Sequence, residues 1–156
     1  MEQSHARSRR RPASVRAEDS VKVKRDPQPL PATPSKPSPR RALVVEADPV
    51  TLQLCRDVLE SSGFVVDAVD SGIGAVVAAR EGLPDLILMD LQLRDVPGGE
   101  AIGWLRSNPA LRSTPIVVLT ANAGDDAILA TTRPAASLRK PLSPLTIRRT
   151  ICEVLK

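Results

Sequence analysis

From Arg41 to the end of the chain, short aliphatic runs alternate five times with amphipathic stretches, and this alternation leaves few folds open. Strands that follow one another through helices lie parallel, because a parallel crossover needs a dozen or more residues and a helix supplies them compactly. ALVVE reads as the first strand. Asp48 and Pro49 then offer an N-cap and a proline at the first helical position. Leu52, Cys55, Val58 and Leu59 form one apolar helical face, which Gly63 ends. FVVDAV is the second strand and GIGAVVAARE the second helix, closing at Gly82 and Pro84. DLILMD is apolar almost throughout, as expected where helices cover both faces of a sheet. A helix around EAIGWLRSN, the strand PIVVLT, a weak helical stretch near DDAILATT, the short SLR segment and a last helix follow. That last helix carries Ile147, Ile151, Val154 and Leu155 on one face. The expected fold class is α/β: a (βα)5 doubly wound sheet of five parallel strands.

The first 41 residues are different in kind. They hold seven of the fifteen prolines, with 11 of the 22 Lys and Arg but 4 of the 18 Asp and Glu, a net charge of +7 against −3 for the remainder. Isolated Val15, Val21, Val23 and Leu30 cannot bury enough surface to offset the entropy of ordering such a segment. Residues 1–41 are therefore expected to be a disordered basic tail, its DPQPLPATPSKPSPRR half an extended linker, and residues 42–156 the folded domain. The tail reads as a solvated spacer, or as a contact for an anionic surface carried mainly by Arg7, Arg9, Arg10 and Arg11. The isoelectric point near 9.6 thus describes a basic tail on an acidic body, not a basic nucleic-acid-binding domain.

Several chemistries fall away early. Phe64 and Trp104, read as packing residues, are the sole aromatics, so base stacking has little to work with. Cys55 and Cys152 have no C-x-x-C partner and read as reduced thiols. No apolar run is long enough to span a bilayer and no hydrophobic leader stands at the N-terminus, which points to a cytoplasmic protein. The only histidine, His5, lies in the tail, so the folded part has no Ser-His-Asp triad. SGIGAVV imitates a dinucleotide loop, but Val77 occupies its third glycine position.

Open parallel sheets bind ligands beyond the carboxyl ends of their strands. At those ends stand Glu46 with Asp48 just beyond it, Asp90, Thr120 and Lys140. Three carboxylates on one rim repel one another unless a cation is shared, and hard oxygen donors suit Mg²⁺. Such a rim suits phosphoryl transfer to a carboxylate: Asp can form an acyl phosphate, Lys can neutralise the transferring oxygens, and Thr can hydrogen-bond one of them.

VVEADP, PDLILMD, VVLTA and RKP, in that order, resemble the receiver domain of bacterial two-component response regulators. The resemblance covers roughly residues 41–156 and implies the flavodoxin-like receiver fold. It implies that Asp90 is the phosphoacceptor and that Thr120 and Lys140 contact the phosphoryl group. Glu46, Asp90 and the backbone carbonyl of Gln92 would hold Mg²⁺, with Asp48 as an additional candidate that reads better as a helix cap. The implied partners are a histidine kinase or histidine phosphotransfer protein upstream and a protein target downstream. No DNA-binding domain is expected, since the chain ends with the fifth helix, and a homodimer through the last two helices is compatible with the resemblance. The domain would be a signalling module and not an enzyme, capable at most of slow self-phosphorylation and dephosphorylation.

Two positions depart from the family pattern. Receivers usually carry two adjacent acids after the first strand, and here the second is Ala47, which puts Mg²⁺ binding in question. The family's aromatic switch residue, three before the Lys, is Ser137, and Pro134 should shorten the fourth helix. The alternative is therefore a pseudo-receiver, a phosphorylation-independent binding or scaffold module on the same fold. A phosphatase or nucleotide enzyme on a related sheet would need a glycine-rich phosphate loop or an acid two residues after Asp90, where Gln92 stands.

Overall fold

A computed structural model describes residues 37–156. The expected tail lies outside the described residues except for 37–41, of which Arg41 already opens the first strand. The elements follow in strict alternation: β1 (Arg41–Val45), α1 (Pro49–Ser61), β2 (Val65–Val69), α2 (Gly72–Gly82), β3 (Leu86–Asp90), α3 (Gly98–Ser107), β4 (Ile116–Thr120), α4 (Asp126–Thr132), β5 (Ala136–Arg139) and α5 (Pro144–Val154). A 3-10 turn, Ala123–Asp125, precedes α4. The strands form one parallel sheet in the order β2-β1-β3-β4-β5.

Side-chain alternation along each strand divides the core into two halves. Ala42, Val44, Leu86, Leu88, Val117 and Leu119 face α1 and α5, meeting Cys55, Leu59, Ile147 and Ile151. Leu43, Val45, Ile87, Met89, Ile116 and Val118 face α2 and α3, meeting Ala75, Ala79, Ile102 and Leu105. Both faces of the three central strands are covered, which is why their sequences read as unbroken apolar runs. Of the two aromatics, Phe64 is buried, whereas Trp104 stands on the outer side of α3 with 40% of its surface exposed. Both cysteines are free, and burial pushes the Cys55 thiol up to about 12.

The helix starts are chemically explicit. Asp48 caps α1, accepting from the Thr51 amide at 2.9 Å with Pro49 in the first turn, and Ser143 caps α5 in the same way ahead of Pro144. Gly63, at φ +92°, reverses the chain after α1. The expected stop of α2 at Gly82 shifts by one residue: the helix includes Gly82, and Leu83 takes the left-handed position at φ 44°. No helix among the described residues is long and apolar enough to cross a membrane.

The start of α2 depends on a residue from elsewhere in the chain. Ser71 caps Gly74, while both oxygens of Asp95, in the loop after β3, accept from the Gly72 and Ile73 amides at 2.9 Å. These bonds, the one from Ile73 first, hold the Asp95 carboxyl below its ordinary 3.8. A carboxylate held below its unfolded value adds stability above that value and loses it as pH falls through the lowered one. Asp95→Ala is therefore expected to lower the thermal midpoint at neutral pH. The gap to the parent should then narrow as the acid range is entered. Thermal scans across pH test this, and a gap of constant size below pH 3.8 would exclude a role for the charged cap.

Candidate functional site

Strand order reverses at the boundary between β1 and β3, so the loops leaving these two strands diverge to opposite faces and open a crevice at their carboxyl ends. Glu46 and Asp90 stand in that crevice, with 1% and 3% of their surfaces exposed. β1 and β3 are paired in register, Val45 beside Met89, so the next residue of each strand projects the two carboxylates side by side. Burial of two adjacent carboxylates requires a cation. Lys140, which follows β5, supplies it: its Nζ lies 2.7 Å from Glu46 Oε2 and 3.0 Å from Asp90 Oδ2. Its backbone amide donates to the Thr120 carbonyl at 2.8 Å, which ties the lysine to the end of β4. The peptide between Lys140 and Pro141 is cis.

The remaining carboxylate oxygens are held by the backbone. Asp48 N–H donates to Glu46 Oε1 and Gln92 N–H to Asp90 Oδ1, each at 3.0 Å. Burial raises Glu46 above the ordinary carboxylate range, opposed by Lys140 and the Asp48 amide and reinforced by Asp90. Burial acts to lower the Lys140 ammonium. Its contacts with Glu46 and Asp90 more than offset this and hold it above its usual value. The lysine is therefore charged at neutral pH.

Asp48 lines the same crevice but is turned to α1: its Oδ2 accepts from both the Thr51 amide and the Thr51 hydroxyl, and these bonds keep its carboxyl low. Thr120 ends β4 one residue beyond Leu119, the partner of Asp90 in the sheet. Its hydroxyl points elsewhere. It donates to the carboxylate of Asp125, and lies 3.3 Å from the Asn122 carbonyl. Of the residues expected at the rim, Glu46, Asp90 and Lys140 form one contact network, with Gln92 bound to it through the backbone. The Asp48 and Thr120 side chains engage other partners, although the Asp48 amide also holds Glu46.

Two residues that the sequence did not single out belong to this region. Arg94 lines the crevice with Lys140 and makes no ion pair among the described residues. Asp125 holds Thr120. Arg94, a charge four residues beyond Asp90, was a visible signal, whereas Asp125 is one of two adjacent acids, and only the backbone shows which of them turns inward.

The oxygen donors suit a hard divalent cation at the lower limit of what Mg²⁺ uses, one or two carboxylates completed by water. Glu46 Oε2 is buried and accepts no hydrogen bond of good geometry, its contact with Lys140 being ionic, so it retains coordinating capacity. Ala47 contributes no oxygen, and no cluster of three or more His, Cys, Asp or Glu arranged for a metal occurs among the described residues. The two carboxylates fit the cation as a lean site.

Known proteins resemble this chain in sequence and fold. The family model described as the response regulator receiver domain matches residues 42–151. The chain is 37% identical over 107 residues to the polar-differentiation response regulator DivK of Brucella anthropi, an alignment covering 67% of this chain and 87% of the relative. The chemotaxis response regulator CheY4 of Vibrio cholerae shares the fold, with a TM-score of 0.71 at 23% identity over 75% of this chain and 99% of the other. The receiver domain of sensor histidine kinase PA1611 from Pseudomonas aeruginosa PAO1, solved with a magnesium ion coordinated in its active-site cleft, aligns with a TM-score of 0.70 at 30% identity. That alignment covers 76% of this chain and all of the other. Between them, the family match, the DivK likeness and the carboxylate-lysine network at the sheet's switch point lead to one assignment: the chain belongs to the family of response regulator receiver domains.

Proposed function

We propose that this receiver accepts a phosphoryl group on Asp90 from a histidine kinase or histidine phosphotransfer protein and signals through protein contacts. The observation that carries the reading is the Lys140 ammonium held between the Glu46 and Asp90 carboxylates, 2.7 and 3.0 Å away, at the mouth of an open sheet. In the transfer, an Asp90 carboxylate oxygen forms a bond to phosphorus as the bond from phosphorus to the donor's imidazole nitrogen breaks, and the imidazole leaves with the electron pair. Asp90 is suited to this because its Oδ1 is held by the Gln92 amide, which fixes the direction of the attacking carboxylate. Lys140 keeps the anionic nucleophile and the anionic phosphoryl group from repelling each other. Mg²⁺ held by Glu46, Asp90 and the Gln92 carbonyl would add a second positive charge there. Thr120 would donate to a phosphoryl oxygen once its hydroxyl leaves Asp125. The folded domain begins with β1 at Arg41, one residue before the expected boundary, and the setting is cytoplasmic.

Ala47 favours a second reading, a pseudo-receiver that binds partners without the chemistry, because it removes an oxygen from an already lean cation site. Intact-mass measurement after incubation with a small-molecule phosphodonor and Mg²⁺ separates the two. The native protein is expected to gain one acid-stable, base-labile phosphoryl group, Asp90→Asn to gain none, and Ala47→Asp to be modified faster. Modification of Ala47→Asp alone would leave the native chain a binding module with a disabled cation site. No modification of either protein would remove the phosphoacceptor role.

A further inference from the structure

The hydroxyl at the end of β4 is already in use. Thr120, 5% exposed, gives its single proton to Asp125, 9% exposed. Asp125 occupies the N-cap position of α4, yet its side chain makes no capping hydrogen bond there and turns inward instead. Elsewhere in this fold, Asp48 and Ser143 use their oxygens to cap a helix. A carboxylate that leaves the cap unmade for a buried hydroxyl is doing something other than starting a helix.

The segment around it has little else to hold it. The seven residues of α4 include none that is buried, and Leu129 alone reaches the edge of the core, half-buried. Asp125 is the buried residue between Ala121 and Arg133, where the chain turns out of α4 at φ 46°. An element with so few apolar contacts sits at the low end of local stability, and one hydrogen bond to a charged acceptor is a large share of what keeps it in place.

A hydroxyl donates one hydrogen bond at a time. If Asp90 carries a phosphoryl group, a Thr120 that donates to it no longer donates to Asp125. Ser137, small and exposed on β5, offers no large side chain to report that change. We propose that Asp125 is a positioning residue for the Thr120 hydroxyl. In the unmodified protein its carboxylate keeps the hydroxyl from Asp90 and thereby anchors residues 121–133; exchange of that hydroxyl onto phospho-Asp90 releases the segment as the output element. The release half of this proposal rests on the phosphoacceptor reading, and the anchoring half does not.

The test uses the full chain as native protein, Asp125→Ala, Thr120→Val and the double variant. Amide hydrogen exchange across residues 121–133, without any phosphodonor, should rise about tenfold in each single variant and no further in the double, because both remove one bond. Equal exchange in the native protein and Asp125→Ala, or additive effects in the double variant, would overturn the anchor. With phosphodonor and Mg²⁺, exchange in the native segment should rise to the level of Asp125→Ala. The phosphoryl group should also persist longer in Asp125→Ala than in the native protein, and this difference should vanish when Thr120 is Val. A loosening of structure alone would not make the lifetime depend on the hydroxyl. A difference that survives Thr120→Val overturns the exchange of partners. If intact mass shows no phosphoryl uptake by the native protein, the phosphoacceptor reading and the release step fail together, and the exchange data on unmodified proteins still decide the anchor.

Discussion

Gly98→Ala is expected to lower the free energy of unfolding by about 3 kcal/mol, at the upper end of the cost of overpacking, whereas Gly103→Ala in the same helix is expected to raise it by about 1 kcal/mol. A β-carbon on Gly98 would lie 2.6 Å from the Asp90 carbonyl oxygen, 2.6 Å from Leu91 Cα and 3.0 Å from the Leu91 carbonyl oxygen. All three atoms are backbone, so no side-chain rotation relieves the contact, and the Gly98 amide is bound to the Leu91 carbonyl at 3.0 Å. Relief must come from displacing the peptides that carry Asp90. A β-carbon on Gly103 meets nothing within 4 Å, and there alanine only reduces the freedom of the unfolded chain. Urea unfolding of the two variants checks both signs. Comparable stabilities would mean that α3 can slide away from the strand end, and that Asp90 is not rigidly supported from below.

The second large effect concerns charge. Lys140→Met should cost about 3 kcal/mol at neutral pH, the lower end of the range for breaking a buried ionic contact, since the lysine side chain keeps 21% of its exposure. What remains is two almost fully buried carboxylates, side by side, with one backbone amide each. In an Asp90→Asn background the same substitution leaves a single carboxylate, and its cost should fall by more than half. A double-mutant cycle from denaturant unfolding reads this coupling directly. Independent costs would show that the lysine does not act through the acid pair, and would weaken its assigned role in neutralising the phosphoryl group.

Much of this architecture is legible in the linear chain because each piece rests on a local rule. Asp48 with Pro49, and Gly63, mark helix boundaries within a few residues of themselves, and both do so in the structure. The unbroken LILMD run announces a strand buried on both faces, and every residue of β3 is buried. The α2 terminus is less legible, since Leu83 adopts a conformation more often given to glycine. Trp104 shows the limit of reasoning from residue type: a large apolar ring suits a core, but its place on α3 faces outward.

The candidate site divides the same way. That Glu46, Asp90, Thr120 and Lys140 stand at strand ends follows from the alternation of strands and helices, because in a parallel sheet all carboxyl ends lie on one rim. The sequence alone therefore determined the fold class, the rim on which the candidate site stands and the residues available to it. Which of those residues touch was decided by strand order and loop conformation, which depend on contacts between residues far apart in the chain. Pairing of β1 with β3 sets Glu46 beside Asp90, and the return of β5 against β4 delivers Lys140 to both, 50 residues along the chain from Asp90. The turn after β4 points Thr120 to Asp125 and away from Asp90. Which acceptor takes the single proton of that hydroxyl is decided by angles and distances, and these exist only once the sheet has closed.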